Sequence, residues 1–352
     1  MSKSDYNFPS RVLHRLALQS KIIPEISFDI ENALNKKKDK IFSENHVFIS
    51  GLARSGTTVL MRYFYETGLF RSLTYLDMPF VLMPNTWKRI SYKPNSTHYK
   101  ERAHQDGIML GFDSPEAFEE VFWRVFCGGN YIKDDSLLLH KISYEVLEKF
   151  KDYIHNIINS GESTQTRYLS KNNNNILRFN YLQKSMPNAH IIVPFRNPLQ
   201  HSYSLLSQHL NFSKTQISNK FSLDYMNWLG HFEFGLNQKS FFLNNEDIFE
   251  KMKQYPKNDI NFWLLNWKNY YEYAAAKPTK NTLFFNYELF CQEPARVLNA
   301  LFCKLSMDAP TGHFERFNPP IKTAQHVNTD LLEDCMTIYK QLENKFNLWY
   351  ND

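Results

Sequence analysis

The stretch His46-Val47-Phe48-Ile49-Ser50-Gly51-Leu52-Ala53-Arg54-Ser55-Gly56-Thr57-Thr58 decides the fold. Its first part is short, largely apolar and β-branched, which predicts a buried strand. Residues Thr57 to Glu66 have the apolar spacing of a helix, and Gly68 suits the end of that helix as a C-cap. The glycine-rich segment therefore connects a strand to the N-terminus of a helix.

This connecting loop has the form Gly51-x-x-x-x-Gly56-Thr57-Thr58. Such a loop offers backbone N–H groups and a helix N-terminus to phosphate oxygens. A nucleotide kinase or hydrolase would place lysine directly after the second glycine, where this chain has Thr57, and the cation here is Arg54 inside the loop. The loop predicts phosphate binding and argues against a kinase or hydrolase, which stays as one alternative beside a non-catalytic nucleotide-binding protein.

Two further units repeat the alternation of strand and helix. We expect a helix over Lys171 to Lys184, a buried strand over His190 to Phe195 and a helix over Pro198 to His209. A third unit has a strand over Thr282 to Tyr287 and a helix over Glu293 to Leu305. Apolar strands that alternate with helices predict an α/β fold with three layers, α/β/α, around a central parallel sheet.

Arg196 and Ser204 lie where such a sheet binds ligands. Arg196 directly follows the predicted strand His190 to Phe195, and Ser204 lies on the next helix. Ligands of open α/β sheets bind at the carboxyl ends of the strands, so both side chains can reach a second phosphate near the loop.

Length and composition predict a single large domain. The chain has 352 residues, of which 43% are hydrophobic, enough for one sizeable core. We expect one domain over 1–352, with a helical lead-in over 1–45 that holds helices between Pro9 and Leu34. The core spans 46–305 and a C-terminal extension spans 306–352.

Charge and cysteine content exclude several classes of protein. The net charge is only +5 and the cations are dispersed apart from Lys36-Lys37-Lys38 and Lys40, so a nucleic-acid partner is not expected, whereas a small polyanion is. Cys127, Cys291, Cys303 and Cys335 lack metal-ligand spacing, and we expect no metal, no disulfide framework and buried reduced thiols. No signal peptide or transmembrane segment is evident, which predicts a cytoplasmic protein.

With these motifs the sequence resembles the sulfotransferases that use 3'-phosphoadenosine 5'-phosphosulfate (PAPS). Ala53 to Thr58 are similar to their 5'-phosphosulfate loop, and Arg196-Asn197-Pro198 with Ser204 are similar to their 3'-phosphate motif. Lys171 and Asn286-Tyr287-Glu288-Leu289 support the resemblance, which covers Val47 to Leu305. The arginine in the loop is closer to the tyrosylprotein and carbohydrate branches of the family.

The resemblance implies a P-loop-like sulfotransferase fold and a set of binding residues. It implies that Arg54, Ser55, Gly56, Thr57 and Thr58 hold the 5'-phosphosulfate, that Arg196 and Ser204 hold the 3'-phosphate, and that Tyr287 lines the adenosine pocket. A C-terminal phosphate motif of some members is absent, and Lys322 is its candidate substitute. The expected partners are PAPS and a hydroxylated acceptor. We favour a glycan because the insertions Met83 to Tyr99 and Leu210 to Pro256 are polar and rich in aromatic residues, with a tyrosine or a small lipid alcohol as the alternative acceptors.

Catalysis of sulfuryl transfer rests mainly on positioning and on cations, for which the candidates are Arg54 and Lys171. The acceptor hydroxyl also needs a general base. Asp77 is one candidate, and Glu119 or Glu120 is another, on a helix predicted to begin with Ser114 as N-cap. Less favourable candidates for the base are Glu116, which the dipole of that helix explains, and His104. An aromatic cluster of Trp263, Trp267, Tyr270, Tyr271 and Tyr273 is expected in the core, with stacking on the acceptor as its alternative role.

Overall fold

The computed structural model describes residues 8–35, 42–91, 115–309 and 326–351, and the backbone at 100–101 and 109–110. The strands are β1 (Val47–Ile49), β2 (Phe70–Arg71), β3 (Lys100–Glu101), β4 (Met109–Leu110), β5 (Ser136–Leu138), β6 (Arg167–Lys171), β7 (His190–Phe195), β8 (Ser240–Phe242) and β9 (Thr282–Asn286). The helices are α1 (Phe8–Leu18), α2 (Ile22–Leu34), α3 (Thr57–Glu66), α4 (Pro84–Ile90), α5 (Glu120–Tyr131), α6 (Tyr144–Ser160), α7 (Phe179–Ser185), α8 (Pro198–Ser218), α9 (Lys220–Leu229), α10 (Glu246–Lys253), α11 (Ile260–Ala276), α12 (Tyr287–Gln292), α13 (Pro294–Lys304) and α14 (Thr329–Tyr350). Short 3-10 helices span Tyr75–Asp77 and Asn173–Leu177. Within these ranges, every helix is too short or too polar to cross a membrane.

The central sheet has five parallel strands in the order β2-β6-β1-β7-β9. Its middle strand β1 is almost fully buried along its length, as expected of a parallel strand covered on both faces. Helices α3 and α6 pack against β6, and α14 packs against β9. The predicted α/β fold, with helices around a central parallel sheet, is confirmed.

Several predicted elements match the structure closely. The strand over His190 to Phe195 and the helix over Thr57 to Glu66 have the predicted bounds. Helix α8 begins at Pro198 as predicted, and the Asn197 side chain caps it by accepting from the N–H groups of the next turn. It continues to Ser218 and is followed by α9, β8 and α10, so the segment Leu210 to Pro256, which the sequence indicated as an insertion, consists largely of regular elements.

Two helix predictions fail because tertiary pairing holds the chain extended. Lys171 belongs to β6, where it pairs with Ile49 of β1, and α7 begins only at Phe179. The helix expected after Ser114 begins at Glu120. Residue 115 forms an antiparallel bridge with Thr74, and the N–H of Glu116 donates to the Leu73 carbonyl (3.0 Å), while Ser114 lies outside the described residues.

The predicted N-terminal helices are present as α1 and α2, and α2 packs against α4, α5 and α6. The buried carboxylate of Glu31 on α2 accepts from the backbone N–H groups of Asn85 (2.7 Å) and Thr86 (3.1 Å) in the first turn of α4. A carboxylate at this position satisfies donors that a helix itself leaves without partners. The lead-in therefore contributes to the structure of the core.

Candidate active site

Four neighbouring strands bring most of the predicted site residues to one edge of the sheet. The loop after β1 carries Arg54, β6 ends at Lys171, Arg196 follows β7 and Tyr287 follows β9. These are the carboxyl ends of parallel strands, where ligands of this class of sheet bind.

The loop itself is held in a tight conformation. Arg54 has φ of 71° and Gly56 has φ of 91°, both in the left-handed region. A Cβ on Gly56 would overlap the Tyr287 ring, and a Cβ on Gly51 would lie 2.8 Å from the Pro194 carbonyl oxygen. Both glycines are therefore required by close approach of neighbouring segments.

The start of α3 is open toward this loop. Its N-cap is Gly56, which supplies no side-chain hydrogen bond to the first turn. The first N–H groups of a helix have no partner within the helix, and they attract anions. The predicted loop residues lie around this helix end, where Ser55, Thr57 and Thr58 are buried.

The cations and the serine predicted to bind phosphate converge here. Arg54 Nε donates to Ser204 Oγ (3.3 Å), although the two residues are 150 positions apart. Arg196 Nη1 donates to the Arg54 carbonyl oxygen (3.0 Å), and its guanidinium lies 4.6 Å from the centroid of the Tyr287 ring. The structure thus places Arg54, Arg196, Ser204 and Tyr287 in one cluster.

His201 holds the loop after β1 in place. The sequence had not indicated this residue. Its Nε2 donates to the Ala53 carbonyl oxygen (2.7 Å), one residue before Arg54. Burial, and secondarily the charge of Arg196, lowers the pKa of His201 to about 3, so the ring is neutral. Its position on the first turn after Arg196-Asn197-Pro198 was the only signal in the sequence.

Glu288 links this cluster to the C-terminal helix α14. Its carboxylate accepts from the N–H of Asn197 (2.9 Å) and from the hydroxyl of Tyr339 (3.3 Å), and lies 3.9 Å from Arg196 Nε. Burial raises the pKa of Glu288. The predicted C-terminal contribution of Lys322 lies outside the described residues.

Asp77 follows β2 at the same edge, but its carboxylate is fully engaged. Arg71 Nη2 donates to both of its oxygens (2.8 Å each), and the backbone N–H (2.7 Å) and hydroxyl (3.1 Å) of Thr74 donate to Oδ2. These bonds cap the 3-10 helix that contains Asp77. The geometry favours a structural role over the predicted role as base.

Glu119 belongs to a closed hydrogen-bond network in the core. Its Oε1 accepts from Trp123 Nε1 (3.0 Å) and from the amide of Asn175 (2.9 Å), and its Oε2 accepts from the Tyr168 hydroxyl (2.9 Å). The side chain is buried. As in Asp77, both oxygens of this carboxylate accept hydrogen bonds from neighbouring groups of the protein.

Glu120 forms a buried ion pair with Arg178. Two parallel hydrogen bonds of 2.8 Å join them, and Tyr131 and Asn172 also donate to the carboxylate. Burial alone would raise the pKa of Glu120, but the charge and hydrogen bonds of Arg178 outweigh it and lower that pKa. The same pairing raises the pKa of Arg178 against the effect of burial.

Glu116 lies beside the end of β6, and its Oε1 accepts from the N–H of Ala117 (2.9 Å). Its Oε1 lies 3.2 Å from Lys171 Nζ, and its Oε2 accepts from the Tyr75 hydroxyl (3.3 Å). Both members of the ion pair keep 11% of their side chains exposed. Because the helix begins at Glu120, the interpretation of Glu116 as a partner of the helix dipole was wrong.

Four members of the aromatic cluster on α11 lie in the core, as the sequence predicted, and the fifth, Tyr273, is half-buried and packs against it. Trp263, Trp267, Tyr270 and Tyr271 are each buried, and the Tyr271 hydroxyl donates to the Pro194 carbonyl. Their rings serve packing behind the site and are not offered to a ligand.

All four cysteines are free. Cys127, Cys291 and Cys335 are buried as expected, whereas Cys303 near the end of α13 is exposed.

Comparison with known proteins identifies a family. A model of the sulfotransferase family matches residues 46–239, more than half of the chain. A search of curated proteins with this sequence finds no match. Among solved structures, a sulfotransferase of Mycobacterium tuberculosis H37Rv is similar with a TM-score of 0.47 at 11% identity, covering 98% of this chain and 88% of that one. A sulfotransferase of Alicyclobacillus acidocaldarius gives 0.41 at 12% identity, covering 88% of this chain and 96% of that one. The sulfotransferase domain of an olefin synthase from Synechococcus PCC 7002 gives 0.38 at 11% identity, covering 86% and 98%.

Proposed function

The chain belongs to the sulfotransferase family, and on that premise we propose that it moves a sulfuryl group from PAPS to a hydroxyl acceptor, with a glycan as the expected class. The observation that carries the proposal is the convergence of Arg54, Arg196 and Ser204 beside the open end of α3. A donor with phosphates at both ends of its ribose needs two anion sites close together. The loop and the Arg196/Ser204 pair supply them.

The residues present fit the adenosine bisphosphate part of the donor. The buried Nε of Arg196 makes no hydrogen bond within the described residues, so this N–H can donate to a phosphate oxygen. Tyr287 presents an aromatic ring against Gly56 and below the Arg196 guanidinium, which suits a purine or ribose next to the phosphates. Lysine after Gly56, which would favour a nucleoside triphosphate, is absent from the sequence.

The loop before α3 is proposed to bind one end of the donor, and Arg196 with Ser204 the other end. The N–H groups at the start of α3 and the Arg54 side chain bind the 5'-phosphosulfate, together with the hydroxyls of Thr57 and Thr58. Arg196 and Ser204 bind the 3'-phosphate. His201 keeps the loop in place because it holds the Ala53 carbonyl.

When bound, PAPS supplies an electrophilic sulfur and a good leaving group, the 5'-phosphate of the bisphosphate product. A new bond forms between the acceptor oxygen and sulfur, and the bond between sulfur and the phosphate oxygen breaks. The proton of the acceptor hydroxyl must then be taken up by a base.

We propose Glu116 as that base, with Lys171 as its partner. Glu116 pairs with a site lysine and keeps 11% of its side chain exposed, whereas Asp77, Glu119 and Glu120 are buried. Lys171 Nζ, 3.2 Å from Glu116, orients the carboxylate and places positive charge beside the reacting sulfuryl oxygens. Arg54 stabilises the charge that develops on the leaving phosphate.

Thermal-shift titration of the whole chain tests the proposal. We expect 3'-phosphoadenosine 5'-phosphate to raise the melting temperature and ATP with Mg²⁺ to have little effect, because ligands stabilise only the states that bind them. Arg196→Ala should abolish most of the shift, and Arg296→Ala, an exposed arginine on α13, should not. Stabilisation by ATP alone would favour the kinase alternative and contradict the proposal.

We place the reaction in the cytoplasm. The support is that the four cysteines are free, one of them exposed, as is usual in a reducing compartment.

A further inference from the structure

The N-terminal helix pair exposes an apolar surface that the proposed reaction does not use. On α1, Phe8, Val12 and Leu16 recur every four residues, so they form one stripe, and they are 79%, 40% and 62% exposed. On α2, Ile22, Ile26 and Ile30 recur with the same spacing and are 65%, 48% and 42% exposed. We call these two stripes the N-terminal apolar face.

These stripes are additional to the surface by which the two helices attach to the body. Ala17 and Leu18 of α1 and Phe28 of α2 point into the core, and Glu31 caps α4. An amphipathic surface helix normally turns its apolar stripe inward and its polar stripe outward. Here each helix also exposes a set of apolar residues, and an exposed apolar patch is the kind of surface that marks an interaction site.

Charge is distributed unequally between the two helices. Helix α1 contains Arg11 and Arg15 and no acid, while α2 contains Glu25, Asp29 and Glu31 and no base. Arg15 lies three residues after Val12, and Asp29 lies three residues after Ile26, so each flanks its own stripe. Arg15, Glu25 and Asp29 are exposed.

We propose that the N-terminal apolar face pairs with the same face of a second copy of this chain. In this two-fold contact α1 of each copy lies against α2 of the other. Each residue pair then occurs twice by symmetry. The stripes are then buried in an arrangement of four helices, and the Arg15 flank of one copy faces the Glu25 and Asp29 flank of the other.

An anionic membrane surface is the competing occupant, and the charges disfavour it. Helices that lie on such membranes carry lysine and arginine along their polar border. Here Glu25 and Asp29 would face the lipid headgroups along the whole α2 border.

The mass of the full-length protein in solution tests the pairing. Light scattering after gel filtration should give twice the chain mass of 41.8 kDa. Ile26→Glu should raise the dissociation constant at least tenfold and give the single-chain mass. Its matched control is Ile217→Glu on α8, an equally apolar position that is 76% exposed, which should leave the mass unchanged. A single-chain mass for the unmodified protein at its highest soluble concentration would overturn the proposal.

Charge exchange keeps the test valid if Ile26→Glu fails to fold. Arg15→Glu should weaken the pairing, and adding Glu25→Arg with Asp29→Arg should restore it, because the two flanks then exchange signs. Failure of the restored variant to pair contradicts the arrangement. So does binding of a single-chain species to vesicles that contain phosphatidylserine, if Ile26→Glu removes that binding.

Discussion

Glu116 and Glu120 are four residues apart, yet the fold uses them in different ways. Glu120 and its partner Arg178 are buried, with side-chain exposures of 2% and 0%, and the carboxylate accepts from an arginine, a tyrosine and an asparagine. Glu116 and Lys171 keep 11% of each side chain exposed at the edge of the sheet. Glu116 also accepts hydrogen bonds, from the Tyr75 hydroxyl and the Ala117 N–H, so its partial exposure and its lysine partner are what distinguish it from Glu120 and allow it to exchange a proton with a ligand.

Removal of the Glu116 carboxylate, which pairs with Lys171, should have the largest effect on activity. Glu116→Gln should lower kcat about 10²–10⁴-fold, the usual contribution of a general base, with the melting temperature nearly unchanged. Steady-state assay of PAPS turnover against an acceptor panel measures this. Glu145→Gln, which breaks an exposed ion pair with Lys149 on α6, serves as the control and should leave kcat unaffected. A Glu116→Gln enzyme with wild-type kcat would remove Glu116 from the mechanism.

Breaking the closed pair should instead act on stability. Arg178→Met leaves the Glu120 carboxylate buried without its cation, which costs about 3–5 kcal/mol of the free energy of unfolding. Denaturant titration measures the loss. The double variant Glu120→Gln with Arg178→Met should recover part of it, since neither charge is then buried. If Arg178→Met is as stable as the original protein, the pair is not the closed element described here.

Two glycines with positive φ can be compared, Gly56 in the loop before α3 and Gly68 beyond the C-terminal end of α3. Gly56→Ala should cost about 1–3 kcal/mol in strain and also displace the Tyr287 ring, lowering affinity for 3'-phosphoadenosine 5'-phosphate. Gly68 has φ of 72°, but a methyl group added there would meet open space. Gly68→Ala should therefore cost backbone strain alone and leave the affinity for 3'-phosphoadenosine 5'-phosphate intact. Calorimetric titration of both variants checks this. Equal affinities would show that the contact with Tyr287 does not shape the binding site.

The smallest predicted effect concerns pH and the loop anchor His201. Its folded pKa of about 3 lies below the ordinary value near 6.5, so its stabilising effect is complete above pH 6.5 and is lost as the pH falls below that. Between pH 7 and 5.5 the loss should be about 1 kcal/mol. His201→Gln keeps a donor for the Ala53 carbonyl without titrating, so its stability should fall less over this range. Parallel slopes for both proteins would contradict the assignment of a buried neutral histidine.

The sequence predicted those parts of the site that depend on local pattern. The loop, α3 and β7 follow from apolar runs bounded by glycine and proline, and these signals lie within a few residues. Arg196 and Ser204 were found because they lie just after a recognisable strand.

The acid side was predicted less well because its geometry depends on distant partners. The bridge between Thr74 and residue 115 delays α5 until Glu120, and Arg178 reaches Glu120 across 58 positions. Periodicity carries no information about such pairings. It placed Glu116 and Glu120 on one predicted helix, although Glu116 precedes that helix and only Glu120 belongs to it.

The crystal structure of the protein bound to 3'-phosphoadenosine 5'-phosphate tests the central claim most directly. We expect the 3'-phosphate to contact Arg196 and Ser204, the 5'-phosphate to contact the N–H groups at the start of α3, and Glu116 and Lys171 to line the space beyond it. A bisphosphate bound away from Arg196 and Ser204, or one whose 5'-phosphate faces away from Glu116, would contradict it.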